Sequence, residues 1–210
     1  MKRHLFFAFA ALFFFSAEAA ENPVVKLPEV SLESSATLAE ALKNRRTVRD
    51  FTAISDAEMP QTAANLLWSA CGINRKNGKK VIPAALARYA VSVYFADRRA
   101  VYRFDARENA LHLVASGDIL PLCASNRAMC EKASAALLLV IDDGVWGEER
   151  GDYAALEAGA MMQNVYLYCA SAGLGTVACG SFNGEKLREA LSLGQGQRLF
   201  LTMPVGRAVR

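Results

Sequence analysis

The sequence of 210 residues predicts an α+β domain that follows a short apolar leader. Three observations support this fold class: capped helix patterns, a hairpin pattern in the middle of the chain, and apolar runs of strand length. About 190 residues remain beyond the leader, enough for one domain with a substantial core.

The first twenty residues predict a secretory signal peptide. Residues 2–4 (Lys-Arg-His) are positively charged, residues 5–15 form an apolar run too short to span a bilayer, and residues 17–20 offer small residues for cleavage. Cleavage after Ala19 or after Ala20 fits equally well. We therefore expect an exported protein, either secreted or periplasmic.

An extended lead-in at residues 21–36 precedes the domain proper, which covers residues 37–210. Residues 37–40 (Thr-Leu-Ala-Glu) form a capping box, which predicts a helix ending near Arg46. Residues 55–58 begin a second helix, and Gly72 ends it. Its inward face is predicted to be Leu66, Leu67, Ala70 and Cys71.

Strands are predicted where short apolar or alternating runs are bounded by turn residues. They cover residues 90–96, 101–104, 110–114, 137–141 and 199–205. A turn at residues 105–109 joins the second and third of these strands into a hairpin, and residues 74–80 form a polar, basic loop.

The longest helix pattern covers residues 152–173 and is apolar nearly all round, and a short helix follows at residues 185–191. Glu157, Gln163 and Asn164 interrupt the long pattern, and each would be costly in lipid, so we expect no membrane insertion. A helix without a polar face is instead predicted to lie in the core or at a subunit interface.

Composition and motifs exclude several classes of function. The net charge of +3 is too small to indicate nucleic-acid binding. His112 is the only histidine beyond the leader, and it alternates with leucines, so we expect it to face solvent. No serine-hydrolase, zinc-protease, P-loop or dinucleotide motif is present. The acidic pairs Asp142-Asp143 and Glu148-Glu149 are predicted to be solvated loop residues.

Five cysteines follow the leader: Cys71, Cys123, Cys130, Cys169 and Cys179. None form a CxxC pair, and with one histidine available we predict no zinc site. Export permits a disulfide, for which Cys123 and Cys130 are the closest pair in sequence. The other interpretation is that most of these cysteines are small buried apolar residues.

A basic segment at residues 45–49 (Arg-Arg-Thr-Val-Arg) follows the first capping box. Guanidinium groups match the oxygens of a phosphate, so three arginines within five residues predict a phosphate site. Arginines at the end of a helix also complement its dipole, and this second interpretation stays open.

Two stretches carry a resemblance to a known family. They are RRTVRDF at residues 45–51 and residues 159–175, which contain QNVYL. In this order they resemble the nitroreductase family of FMN-dependent oxidoreductases, in particular the branch related to thiazoline and oxazoline dehydrogenases. The resemblance covers residues 38–207. It implies a mostly antiparallel sheet flanked by helices, and a homodimer with two FMN sites at the subunit interface. Residues 152–173 would then form a buried interface helix.

The resemblance implies where the phosphate of FMN binds. Arg45, Thr47 and Arg49 match the family's phosphate-binding positions, and Arg46 lies between them. Arg207 is a looser match on the C-terminal side.

The resemblance also implies contacts to the rest of FMN. The matching residues are Pro83, Ala84 and Ala85 along the ribityl chain and ring, Asn126 at the pyrimidine edge, and Cys179, Gly180 and Ser181 next to the ring. Ala84 replaces a usual serine, so one hydroxyl contact is missing. Met129 stands where several members carry a lysine that stabilises reduced flavin; Arg127 or Lys132 are the alternatives for that charge.

By resemblance, the first hypothesis for the function is an exported FMN-dependent oxidoreductase. It would transfer hydride through flavin N5 by a ping-pong mechanism to nitroaromatic or quinone-like acceptors. Because the cofactor performs the chemistry, no catalytic side chain is predicted. The alternatives are an FMN-dependent dehydrogenase of a small or peptide-bound substrate, and a flavin-binding protein with little turnover. The sequence leaves the electron donor open.

Overall fold

The structure, a computed structural model, describes residues 23–32, 36–147 and 150–209. The predicted signal peptide and the Glu148-Glu149 pair lie outside these residues. The described part of the chain is α+β, as the sequence predicts.

In the described residues, eight strands form one sheet in which all the pairings are antiparallel. The strands are β1 (Val24–Lys26), β2 (Phe51–Thr52), β3 (Val91–Ala96), β4 (Ala100–Asp105), β5 (Ala110–Ser116), β6 (Ala135–Asp142), β7 (Leu174–Thr176) and β8 (Gln197–Ala208). Their order is β1-β5-β4-β3-β6-β8-β2, and β7 pairs with β8. The predicted hairpin is β4–β5.

Five α-helices accompany the sheet in the described ranges: α1 (Leu38–Asn44), α2 (Met59–Cys71), α3 (Arg127–Lys132), α4 (Gly151–Ser171) and α5 (Gly184–Ala190). The capping box of α1 is confirmed, since Thr37 Oγ1 accepts from Glu40 N and Thr37 N donates to the Glu40 carboxylate. Gly72 ends α2 as predicted. The short helix α3 was not predicted.

The expected end of the first helix near Arg46 is wrong. The helix ends at Asn44, and Arg45 turns out of it with φ −57° and ψ 120°. Val48 N then donates to Thr176 O at 3.0 Å, so the basic segment runs extended beside β7. The arginines therefore lie beyond the helix rather than in its last turn, which weakens the interpretation based on the helix dipole.

The core has two layers, one on each face of the sheet. Leu137 and Leu139 of β6 point into a cluster with α2 and α4, whereas Leu138 and Val140 point into a cluster with α3 and α5. Because both faces of β6 are covered, its sequence is a continuous apolar run, which explains why it was recognisable as a buried strand.

The long helix α4 packs one side on the sheet, where Ala158, Met161 and Val165 are buried. Its other side exposes Tyr153 and, at 70% exposure, Leu156. In the described residues, no helix is long and apolar enough to cross a membrane. The role of α4 at a subunit interface stays a prediction.

Candidate cofactor site

Two glycines hold the basic segment against the sheet. A Cβ at Gly175 would lie 2.6 Å from Val48 Cγ1, and a Cβ at Gly206 would lie 2.7 Å from Phe51 Cβ. Both distances are far below contact distance, so only glycine lets the chain from Val48 to Phe51 approach β7 and β8 this closely. The backbone of the basic segment is thus fixed by packing.

Tyr166 of α4 organises the side chains of this segment. The Arg45 guanidinium lies 5.3 Å from the centre of the Tyr166 ring, a cation–π distance, and Thr47 Oγ1 lies 3.5 Å from the Tyr166 hydroxyl. The same hydroxyl accepts a hydrogen bond from Ala178 N at 2.8 Å. Tyr166 is buried and thereby joins the basic segment to the chain that leads to Cys179. It belongs to the QNVYL motif, but sequence reasoning assigned it no role.

The three arginines of the segment carry uncompensated charge. In the described residues, no carboxylate lies within salt-bridge distance of Arg45, Arg46 or Arg49. Arg46 Nε donates only to a backbone carbonyl, that of Asn44, at 3.2 Å. Guanidinium groups without a carboxylate partner are available to an external anion.

Asn126 lies beside the basic segment at the start of α3. Its Oδ1 accepts from Met129 N at 3.2 Å and so caps the helix. Together with Thr47 and Arg49 it lines a cavity of about 530 Å³. Asn126 thus shares a cavity with the basic segment, whereas its contact with the cofactor stays a prediction and its helix-capping role was not foreseen from the sequence.

The Cys179–Ser181 segment adjoins Asn126. Ser125 N donates to Ser181 O at 2.9 Å. Burial raises the pKa of the Cys179 thiol, and the charge of Arg49 opposes this only in part. A Cβ at Gly180 would meet no atom within 4 Å, so the backbone there has an open face that a flat ligand could approach.

Several predicted site residues do not line this cavity, namely Arg45, Arg207, residues 83–85 and residues 179–181. Arg207 donates to the Glu58 carboxylate at the start of α2 and does not line the cavity, so the looser match to a phosphate position is not supported by its placement. Pro83, Ala84 and Ala85 also lie elsewhere, near the first residue of β3.

The pairing of β3 with β6 shows how far residues 83–85 lie from the cavity. Val91 of β3 pairs with Ile141 of β6, whereas the cavity lies beyond the opposite end of β6, at Lys132. Arg88 reaches the carbonyl of Val145, which confirms that this part of the chain lies past the C-terminal end of β6. The length of β6 between the two regions is about 20 Å.

Comparison with known proteins gives the family. A model of the nitroreductase family matches residues 42–207. The chain belongs to the nitroreductase family. A candidate nitroreductase of Methanocaldococcus jannaschii is 27% identical over 198 residues, which cover 88% of this chain and 96% of that protein. The crystal structure of a candidate nitroreductase from Ralstonia eutropha is 31% identical, with a TM-score of 0.79 over 89% of this chain and 90% of that one.

More distant structures share the fold. The NADPH:FMN oxidoreductase of Vibrio harveyi, solved with NAD⁺, is 20% identical with a TM-score of 0.56, over 82% of this chain and 69% of that one. A chain of the Escherichia coli microcin synthetase complex is 16% identical with a TM-score of 0.66, over 100% of this chain and 79% of that one.

Lys132 and Arg127, the two alternatives for the lysine that Met129 replaces, differ in their placement. Met129 and Lys132 both line the cavity, and Lys132 Nζ lies 2.8 Å from Asp50 Oδ1. Arg127 instead pairs with Glu131 at 3.0 Å, is largely exposed and does not line the cavity. Lys132 is therefore the better placed of the two cations.

His112, predicted to face solvent, is half-buried. Its Nε2 lies 3.6 Å from Glu108 Oε2, and the carboxylate of Asp105 completes a group whose ligand atoms lie within 4.8 Å of one another. Lys26 Nζ, at 3.2 Å from the same Glu108 oxygen, already supplies positive charge there.

Proposed function

We propose that this nitroreductase-family chain is an FMN-dependent oxidoreductase. One observation carries the proposal: a fixed, extended segment bears three arginines that have no carboxylate partner among the described residues, and two of them, Arg46 and Arg49, line a cavity together with Asn126. The fixed segment presents charge without a counter-ion, which is the condition for binding a phosphate dianion.

Arg45, Thr47 and Arg49 would hold the phosphate. They alternate along the extended segment. Arg45 and Thr47 both lie against Tyr166, and Thr47 and Arg49 both line the cavity. A threonine hydroxyl between two guanidinium groups adds a neutral donor to two charged ones. The residues present therefore fit a phosphate monoester.

The ring of the cofactor would extend towards Asn126 and Gly180. The side-chain amide of Asn126 can donate as well as accept, which suits the mixed donors and acceptors of a pyrimidine edge. Its Oδ1 accepts one hydrogen bond from Met129 N, so the NH₂ group and the second lone pair of Oδ1 are available to a ligand. When bound, FMN would supply the redox chemistry by accepting and passing on an electron pair.

Lys132 would contribute positive charge at the same cavity. Its ammonium lies against Asp50, so its net electrostatic effect on a bound anion is smaller than that of an unpaired lysine. This pairing, with Met129 beside it, predicts a lower reduction potential than a lysine at position 129 would give.

A second copy of the chain would complete the site. Pro83, Ala84 and Ala85 lie past the far end of β6, so within one chain they do not meet the basic segment. Next to them Leu86 is 80% exposed, and α4 exposes Leu156, which together offer apolar surface for a partner. We therefore propose a homodimer in which each FMN site takes the basic segment from one chain and residues 83–85 from the other.

The proposed reaction passes electrons from a small donor to a small acceptor in turn. The first candidates for acceptors are nitroaromatics and quinones, whose flat rings suit a site that stacks and orients them. The same site would serve a dehydrogenase of a small or peptide-bound substrate; the distant microcin synthetase structure was solved with a truncated pro-MccB17 bound. Steady-state turnover with panels of both substrate classes would separate the two activities.

We also propose that the protein is exported, on the strength of the predicted signal peptide. Fractionation of cells that express the full chain, followed by N-terminal sequencing, tests this. A chain that starts at Ala20 or Glu21 in the exported fraction supports export, and an intact Met1 in the cytosol contradicts it.

The decisive experiment for the cofactor replaces two arginines. Arg45→Ala with Arg49→Ala should weaken FMN binding by about 100-fold or more, because each lost charged hydrogen bond is worth about 1.5–3 kcal/mol. The readout is FMN released per chain, measured by absorbance, together with titration of the apoprotein. Arg103→Ala with Arg107→Ala, two exposed arginines on the β4–β5 hairpin, is the matched control. Full flavin content in the first variant would contradict the phosphate assignment.

A further inference from the structure

The hydroxyl of Tyr166 lies between two segments of the proposed cofactor site. Its oxygen is 2.8 Å from Ala178 N and 3.5 Å from Thr47 Oγ1. Ala178 directly precedes the Cys179–Ser181 segment, and Thr47 lies in the middle of the basic segment. A single oxygen atom on α4 is therefore in contact with both segments.

The chemistry of the partners gives the direction of these contacts. A backbone N–H can only donate, so the Tyr166 oxygen accepts from Ala178 and its own proton is left for another acceptor. Within the described residues, Thr47 Oγ1 is the other hydrogen-bonding partner of this hydroxyl. The separation of 3.5 Å is at the long limit for a hydrogen bond, so this contact is the weaker of the two.

Thr47 ends this series of contacts at the surface. The residue is exposed, and in the part of the chain that the structure describes its hydroxyl has no hydrogen-bonding partner besides Tyr166. An anion that lies against Thr47 takes the hydroxyl proton, because hydrogen bonds to charged acceptors are about twice as strong as neutral ones. Thr47 Oγ1 then accepts the proton of the Tyr166 hydroxyl. The result is a hydrogen-bond relay of Ala178 N–H, Tyr166 O–H and Thr47 O–H, in which every donor points towards the anion.

The ring of Tyr166 acts on a second, charged donor. The Arg45 guanidinium lies 5.3 Å from the centre of this ring, at a cation–π distance. The ring itself is buried, so its position is fixed by packing rather than by the arginine. The ring and the hydroxyl of Tyr166 thus position two different residues of the predicted phosphate site.

We propose that Tyr166 is a positioning residue that directs this relay at a bound phosphate and so makes the site selective for a phosphorylated flavin. The inference rests on the proposed function, in which Arg45 and Thr47 hold the phosphate of FMN. Hydrogen bonds in a chain polarise and strengthen one another, so the Tyr166 hydroxyl contributes to phosphate binding without touching the phosphate. Riboflavin has no phosphate, and its binding should gain nothing from this hydroxyl.

The first test compares the affinities of FMN and riboflavin for the flavin-free protein, measured by flavin fluorescence. Tyr166→Phe keeps the ring beside Arg45 and removes only the hydroxyl. It should weaken FMN binding by about two- to tenfold, the worth of one neutral hydrogen bond, and leave riboflavin binding unchanged. Equal losses for the two flavins would overturn the proposal, because they would place the effect in the chain around Ala178 and not at the phosphate.

Tyr168→Phe is the matched control. It removes another phenol hydroxyl from α4, one that accepts from Asn65 Nδ2 at 3.1 Å and has no printed contact with the basic segment. This variant should bind both flavins as the wild type does. A loss of FMN affinity as large as that of Tyr166→Phe would show a general loosening of α4 and would contradict a specific role for Tyr166.

A double-mutant cycle tests the relay itself. Thr47→Val removes the hydroxyl between Tyr166 and the anion, and it should weaken FMN binding by about tenfold or more. Adding Tyr166→Phe to Thr47→Val should cost no further affinity, since the Tyr166 proton no longer acts on the anion. Losses that simply add in the double variant would overturn the relay.

Inorganic phosphate separates a failure of this proposal from a failure of the proposed function. Its effect on the melting temperature is measured against sodium chloride at equal ionic strength. A wild type that binds FMN, with an affinity that Tyr166→Phe does not change, overturns the relay and leaves the proposed function intact. A wild type that binds neither FMN nor phosphate contradicts both. A wild type that phosphate stabilises without FMN binding, and whose response Tyr166→Phe reduces, supports the relay and contradicts only the flavin.

Discussion

The two parts of the proposed cofactor site are built in opposite ways. The basic segment is an extended chain held by glycine contacts and by Tyr166, and its charges have no carboxylate partner in the described residues. The segment that contains Pro83 and Ala84 is instead tied to its own surroundings. There Leu86 and Ala87 adopt positive φ values of 52° and 55°, which cost energy in residues with a side chain.

The surroundings of the second segment explain how that conformation persists. Glu157 Oε2 accepts from Ala90 N at 2.8 Å, and the Arg88 guanidinium lies 4.6 Å from the centre of the Trp146 ring. These contacts fix the chain between Ala84 and β3, but they leave it far from the basic segment at residues 45–49. The two segments therefore lie apart within one chain, and the proposed cofactor site, of which they are the two half-sites, would be complete only with a second copy.

We expect the largest effect on the basic segment from a substitution that displaces its backbone, rather than from one that removes its charges. Gly175→Val should displace Val48, because even a Cβ would lie 2.6 Å from Val48 Cγ1. We expect a loss of about 1–3 kcal/mol in the free energy of unfolding and at least a tenfold loss of FMN affinity. Thermal melts and flavin titration measure both. Gly194→Val, at an exposed position outside the proposed site where a Cβ would come no nearer than 3.7 Å to Gln197 Oε1, is the control.

Asn126 offers a sharper test, because its two roles can be separated. Asn126→Asp keeps the oxygen that caps α3 and removes the amide donor, whereas Asn126→Ala removes both and should cost about 1 kcal/mol of stability. If the amide contacts the flavin, both variants shift the reduction midpoint, but only the alanine variant lowers the melting temperature. Unchanged midpoints in both would remove Asn126 from the ring contacts.

Glu157 tests the second half-site through its pH dependence. Burial raises the pKa of its carboxyl, and the bond from Ala90 and the charge of Lys80 oppose this only in part. The folded chain therefore keeps a proton that the unfolded chain releases, so the Glu157 contribution to stability falls as pH rises above the ordinary carboxyl pKa. Melting curves of wild type and Glu157→Gln should converge at acid pH, and the variant should gain relative stability towards neutral pH. Parallel curves across this range would show that Glu157 does not titrate as described.

The smallest effect is expected from restoring a hydroxyl. Ala84→Ser supplies the hydroxyl usual in the family at a half-buried position. A new neutral hydrogen bond is worth about 0.5–1.5 kcal/mol, so FMN affinity should rise by roughly two- to tenfold. Ala87→Ser, a few residues away, should leave it unchanged. Equal affinities for Ala84→Ser and wild type would place the segment away from the cofactor.

Patterns of residues close in sequence were readable without the structure. The capping box at Thr37, the hairpin around residues 105–109 and the apolar run of β6 each depend on their own neighbours, and all three are confirmed. The end of α1 was misplaced because Thr176, more than a hundred residues away, takes the Val48 amide into a strand-like contact.

In the candidate site, too, the features set by local sequence could be predicted, whereas those set by distant residues could not. The arginines and Asn126 could be named from the sequence because motif positions identify them. The role of Tyr166 could not be predicted from the sequence, because it depends on two contacts of its hydroxyl with residues distant in sequence. These contacts are with the Thr47 hydroxyl and with the backbone N–H of Ala178. The Arg207–Glu58 pair could not be foreseen either, because the two residues meet only through the pairing of β2 with β8.

The most direct test of the two half-sites is complementation between subunits. Two differently tagged chains are co-expressed, one with Arg45→Ala and Arg49→Ala, the other with Ala84→Asp, and the mixed dimer is isolated through both tags. Each variant alone should be poor in flavin, whereas the mixed dimer should bind about half the wild-type FMN, since one of its two sites carries neither defect. A mixed dimer as poor in flavin as its parents, or an Ala84→Asp protein that keeps its flavin, would contradict a site shared between two chains.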